Sequence, residues 1–212
     1  MARAPDGIFI RRRLLVALAA AASSPALAAR PKVVAILGDS ITAGLGLPAE
    51  QALPAQLQRE LARLGLSAIV RGAGVSGDTA ADGLARLDFS MAADTDVCIV
   101  ALGGNDLLQG ASPAATKASL AAIVRRLKAR RIGVVLAGVA APPAVGAGYA
   151  REFAAIFPAI ARAEQVSLLP DLLAGVGPSL RQADGLHPSA AGVRLIVNRL
   201  APLVARALRA RK

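Results

Sequence analysis

The sequence predicts an α/β fold in which helices cover both faces of a parallel sheet. Two observations carry the prediction. Apolar, β-rich runs alternate with longer helical patterns along the chain, and such alternation implies crossover connections between parallel strands. The runs themselves are close to continuously apolar, as in Val97–Leu102, which suits strands buried on both sides. A third observation concerns function: Gly-rich turns follow the first and third runs at once, where the chain must leave the sheet sharply.

Taken in order, Lys32–Leu37 reads as the first strand and is followed by a helical pattern over Gln51–Leu64. Ala68–Arg71 is the second strand, with a helix over Thr79–Leu87. Val97–Leu102 is the third, with a helix over Pro113–Arg130. Ile132–Gly138 is the fourth, followed by a helix over Gly148–Glu164. A short fifth strand, Val166–Leu169, leads to the last helix, Ala190–Arg209, whose start is marked by Pro188 and Ser189. No internal repeat and no linker divides the chain, so residues 29–212 read as one domain.

The first 28 residues read as a signal peptide. Arg11-Arg12-Arg13 form a positive start, Leu14 to Ala22 is a short apolar run, and Ala26-Leu27-Ala28 offers a small-x-small cleavage site. The run falls short of the roughly 20 residues a membrane anchor needs. The expected location is therefore periplasmic or secreted, by the general or the twin-arginine route. Removing the leader takes away four arginines and one aspartate, lowering the formal charge from +11 to +8. The remaining cations are scattered singly over helices, and aromatics make up 2% of the chain, so base-stacking nucleic-acid recognition is not expected. Weak attraction to an anionic membrane surface is a consequence of such charge. Arg206, Arg209, Arg211 and Lys212 read as a fraying basic end. Cys98, the one cysteine, lies in a strand pattern and reads as a small core hydrophobe. With one histidine and no CxxC or HExxH, no metal site is expected. Gly44-Leu45-Gly46 lacks a third glycine, and no Gly-Lys-Ser/Thr occurs, which argues against a nucleotide loop.

Four short blocks carry the chemistry: Gly38-Asp39-Ser40, Val75-Ser76-Gly77-Asp78, Gly103-Gly104-Asn105-Asp106 and Asp184-Gly185-Leu186-His187-Pro188. The first three follow the first three strands, on the rim where open parallel sheets bind ligands. Ser40 is a candidate nucleophile, and His187 is the one side chain able to act as its base near neutral pH. Asp184, three residues earlier, can reach the imidazole and fix its tautomer. Gly77 and Asn105 are candidate oxyanion donors, one through its backbone N–H and one through its side-chain amide. Each has a plain alternative: Ser40 as a helix N-cap, Asp184 as a turn residue, Asn105-Asp106 as a cap, the glycines as turns. Together the blocks are what ester hydrolysis through an acyl-enzyme requires.

In this order the blocks resemble the SGNH-hydrolase superfamily, also called the GDSL lipase/esterase family, and within it the bacterial arylesterase, acyl-CoA thioesterase I and lysophospholipase subgroup. The resemblance runs from about Lys32 to the last helix and includes Gly83-Leu84-Ala85-Arg86-Leu87. It implies a flavodoxin-like three-layer α/β/α sandwich with about five parallel strands. It implies Ser40 as nucleophile, His187 as base, Asp184 as orienter, and Ser40 N–H, Gly77 N–H and Asn105 as oxyanion hole, with no cofactor. Small-molecule or lipid esters and thioesters are the implied substrates. Acetylated carbohydrate is the alternative substrate, and a non-catalytic acyl-binding protein the alternative class. Three positions depart from the subgroup's habit: Gly72 in place of asparagine, the loop Pro143-Ala144-Val145-Gly146, and Asp171 in a region that tends to be aromatic.

Overall fold

The computed structural model describes residues 1–2 and 30–211, leaving aside the side chain of Pro143. The chain divides into two units, Met1–Arg30 and Pro31–Lys212. The expected signal peptide falls on the first and lies outside the described residues apart from its first two positions. The second unit contains the sheet, its helices and the four blocks.

Five strands, β1 (Lys32–Gly38), β2 (Ala68–Gly74), β3 (Val97–Ala101), β4 (Gly133–Ala137) and β5 (Ser167–Leu169), form one sheet in the order β2-β1-β3-β4-β5. Every pairing is parallel. The order reverses between β1 and β3, so a crevice opens beyond their carboxyl ends. Alternation along the strands splits the core in two. Val34, Ile36, Val97, Ile99, Val135 and Ala137 face the layer of α2 (Leu53–Arg63) and α8 (Ala190–Arg209). Ala35, Leu37, Cys98, Val100, Val134 and Leu136 face the layer of α6 (Pro113–Ala129) and α7 (Ala147–Glu164). All five residues of β3 are buried, as its unbroken apolar run requires, whereas the edge strand β2 is largely open. Burial pushes the Cys98 thiol up to about 12, so it behaves as a core atom.

Four further short helices complete the frame: α1 (Ser40–Ala43), α3 (Ala80–Ala85), α4 (Leu87–Ser90) and α5 (Gly104–Leu108). Sequence patterning does not reveal α1 and α5, because four or five residues make too little of a period. The helix expected over Thr79–Leu87 is divided at Arg86 between α3 and α4, and that expected from Gln51 begins at Leu53 after a 3-10 turn at Ala49–Gln51. Strand β2 continues past Arg71 through two glycines, because pairing of Gly72 with Ile36 and Gly74 with Gly38 overrides glycine's poor strand propensity. The basic C-terminus is not frayed through its arginines. Helix α8 runs to Arg209, and the carbonyl of Arg211 accepts from Lys32 Nζ at 3.0 Å.

Candidate active site

Strand β1 delivers Ser40 to the crevice. Asp39, not Ser40, caps α1: its Oδ1 accepts the Ile41 N–H at 3.0 Å, so Ser40 becomes the first helical residue. A first-turn residue has no intrahelical acceptor for its own N–H, and among the described residues the Ser40 amide donates to nothing. Its hydroxyl is equally unneeded as a cap. Asp39 is 7% exposed, and burial pushes its carboxyl up.

The last block forms a turn that presents the histidine from the opposite side. Asp184 Oδ1 accepts the N–H groups of Leu186 at 2.8 Å and His187 at 3.0 Å, closing the turn locally. Its Oδ2 is thereby left facing His187 Nδ1, 2.6 Å away. His187 Nε2 lies 2.8 Å from Ser40 Oγ. The hydrogen bond from His187, aided by the two backbone amides, holds the Asp184 carboxyl down to about 2. The carboxylate is therefore an anion at any working pH, and Nδ1 carries the proton that faces it. Asp184 is thus a turn residue through one oxygen, while the other faces the imidazole.

Gly77 sits at φ +90°, a conformation other residues resist, while a Cβ there would meet no neighbour. Its glycine is thus demanded by backbone direction and not by space. Among the described residues its N–H has no acceptor. Asn105 lies in the first turn of α5 and donates one amide hydrogen to Asp78 O at 2.8 Å, leaving the other unengaged. Neither Asn105 nor Asp106 caps that helix; Gly103 occupies the cap position with no side-chain bond.

Two residues that the sequence reading leaves outside the catalytic set tie these blocks together. Arg86 donates through Nε to Asp78 Oδ2 and through Nη2 to Gly38 O, 2.9 Å away, joining the second block to the end of β1. Asp106 is 3% exposed; it accepts the Ala80 N–H at 2.8 Å and the Thr116 hydroxyl at 2.9 Å. The local signals are Arg86 at helical spacing after Asp78, and an acid beside Asn105. The bonds to Gly38 O and to the Ala80 N–H join segments 48 and 26 residues apart and have no mark in the sequence.

Ser40, Gly77, Asn105 and His187 all line one cavity of about 790 Å³, so the structure brings every residue of the predicted site together except Asp184, which stands directly behind the imidazole. The wall is mainly apolar, with Ile41, Leu107, Val139, Pro142 and Leu173, and Leu45, Leu108, Val145 and Leu186 half open to solvent. Two of the three departures, Val145 and Asp171, lie on this wall; Gly72 does not and packs against Pro54 instead. Chemically, the cavity offers a hydroxyl hydrogen-bonded to an imidazole, a carboxylate behind it, and three N–H donors without acceptors.

Residues 36–195 match the model of the GDSL-like lipase/acylhydrolase family. The chain is 40% identical over 174 residues to the esterase TesA of Pseudomonas aeruginosa, covering 80% of this chain and 87% of that one. It is 36% identical over 165 residues to the thioesterase 1/protease 1/lysophospholipase L1 of Escherichia coli K12, covering 76% and 78%. Among solved structures, AlinE4, an SGNH-hydrolase family esterase, superposes with a TM-score of 0.71 at 42% identity, over 84% of this chain and 97% of that one.

Proposed function

The chain belongs to the GDSL-like lipase/acylhydrolase family and is an ester hydrolase of the SGNH type, and from that premise we propose that it works through an acyl-enzyme on Ser40. The observation that carries the proposal is the unbroken line from Asp184 Oδ2 to His187 Nδ1, 2.6 Å, and from His187 Nε2 to Ser40 Oγ, 2.8 Å.

Ser40 Oγ attacks the acyl carbonyl while its proton passes to His187 Nε2. Asp184, anionic throughout, stabilises the imidazolium that forms. The developing oxyanion takes the unengaged N–H groups of Ser40, Gly77 and Asn105. His187 then gives the proton to the departing alcohol or thiol as the carbonyl re-forms. In the second half, water takes the place of the leaving group: His187 removes its proton as the water oxygen attacks the acyl carbonyl, then returns that proton to Ser40 Oγ as the acyl–oxygen bond breaks and the acid departs. The apolar wall supports an acyl chain longer than acetyl, such as those of aryl esters, acyl thioesters or lysophospholipids. Export is part of the reading, supported by the leader pattern of residues 1–28.

The test is hydrolysis of p-nitrophenyl esters from acetyl to palmitoyl by the mature protein and by Ser40→Ala. Turnover should disappear in the variant, and rates in the wild type should rise beyond acetyl before the longest chains. A profile confined to acetyl would contradict the apolar-chain reading, and turnover that survives Ser40→Ala would sink the mechanism.

A further inference from the structure

The nucleophile and its base stand 147 residues apart in the chain and are carried by different loops. Among the described residues, only two hydrogen bonds join segment 39–47 to segment 180–189. One is the reacting pair itself. The other runs from Gln182 Nε2 to Leu45 O, 2.8 Å. We propose that Gln182 is a positioning residue that fixes the serine–histidine distance by locking these two loops together.

The amide is engaged on both sides. Gln182 Nε2 also donates to Pro188 O at 3.1 Å, and the Gln182 backbone N–H donates to His187 O at 2.8 Å. On the other side, the Leu45 N–H donates to Ser40 O at 3.0 Å. A short path of hydrogen bonds therefore leads from the backbone of Ser40 through Leu45 and Gln182 to the backbone of His187, and the reacting pair closes the ring. The space between the loops, lined by Ser40, Ile41, Gln182 and His187 among others, holds no water-sized cavity, and the Gln182–Leu45 bond lies at its exposed edge.

The residue type follows from the chemistry. Two carbonyls converge on one nitrogen, so the site calls for a neutral group with two N–H donors. Glutamate would set acceptor against acceptor, and asparagine falls one methylene short. The loop is shaped to receive this amide. Gly46 has φ +75°, and a Cβ there would stand 2.1 Å from Gln182 Oε1. Arg181, by contrast, donates to Val176 O and Gly185 O and holds only its own loop.

This inference rests on the acyl-enzyme reading, and the experiment separates the two. Ser40→Ala, Gln182→Leu, Gly46→Ala and the Gln182→Leu/Gly46→Ala double variant are compared with wild type on a short-chain p-nitrophenyl ester, with folding followed by thermal melting. Misplacement by about an ångström costs on the order of 10²-fold, so kcat in Gln182→Leu should fall between about 10- and 10²-fold with KM within about threefold. Gly46→Ala, which also strains the loop at φ +75°, should lose at least as much, and adding Gln182→Leu to it should cost little more, because the shared contact is already broken. If Gln182→Leu does not fold, the same kcat-against-KM split in the similarly sized Gln182→Met, which also lacks the two N–H donors, decides. A folded Gln182→Leu with kcat within about twofold of wild type, or with losses that multiply with those of Gly46→Ala, overturns the proposal while Ser40→Ala remains dead. Turnover in Ser40→Ala overturns the underlying reading instead.

Discussion

The chemistry proposed for Ser40, Asp184 and His187 rests on hydrogen bonds that can be tested one at a time. Replacing Asp184 by asparagine keeps an oxygen for the Leu186 and His187 amides but turns an NH2 toward Nδ1. The imidazole proton must then move to Nε2, where it blocks acceptance of the serine proton. Asp184→Asn should lower kcat on the order of 10²–10⁴-fold, and a loss below tenfold would mean that another group orients the ring. The same geometry sets the pH dependence. The Asp184 carboxyl titrates near 2, below its ordinary 3.8, so its contribution to stability is complete above that ordinary value and is lost as pH falls through about 2. Asp184 should therefore stay charged throughout the acid limb of kcat/KM; uptake of a proton by the Asp184 carboxyl within that limb, followed by NMR titration, would contradict the assignment. Asn105→Ala removes one of the three proposed oxyanion donors and should cost about 10²–10³ in kcat with little change in KM, read from steady-state kinetics. These residues are legible in the sequence because their types are scarce: one histidine, with an acid three residues before it.

At the level of elements, strands are easier to read than the contacts that aim them. Five apolar runs and five long helical patterns correspond to β1–β5 and to α2, α3 with α4, α6, α7 and α8. The helices that carry Ser40 and Asn105 leave no such trace, being stabilised by their neighbours more than by any periodicity of their own. Asp106 is an example of such support. It spans from α5 to Ala80 at the start of α3 and to Thr116 in α6, both buried. Asp106→Ala would leave a buried N–H and a buried hydroxyl without partners, at a cost of about 2–4 kcal/mol in denaturant unfolding. Asp106→Asn should lose less, since its oxygen can keep Ala80 and its NH2 can donate to the Thr116 hydroxyl oxygen. Equal loss in the two variants would show that the contact energy lies elsewhere. Arg86 and Gln182 belong to the same class of residue: the bonds from Arg86 to Gly38 O and from Gln182 to Leu45 O join segments distant in sequence, so no local pattern announces them.

For the molecule as a whole, topology does most of the placing. Alternating strands and helices enforce a parallel sheet, the order reverses between β1 and β3, and Ser40 and Asn105 emerge from those two strands on the same rim. That much follows from the sequence pattern. The cavity's dimensions do not, because its wall draws on residues from Asp39 to His187 whose approach depends on every crossover between them. The excess positive charge is dispersed over helix surfaces, where Arg125 and Lys128 pair with Glu164 and Arg130 reaches the Met91 carbonyl. Whether catalysis passes through a covalent bond to Ser40 is decided by stoichiometric labelling with a p-nitrophenyl alkylphosphonate followed by peptide mass mapping. One p-nitrophenol should be released per protein, with complete loss of esterase activity and the phosphonyl mass on the peptide containing Ser40 alone. Activity that persists in fully labelled protein, or a label carried on another residue with Ser40 unmodified, would contradict covalent catalysis at this serine.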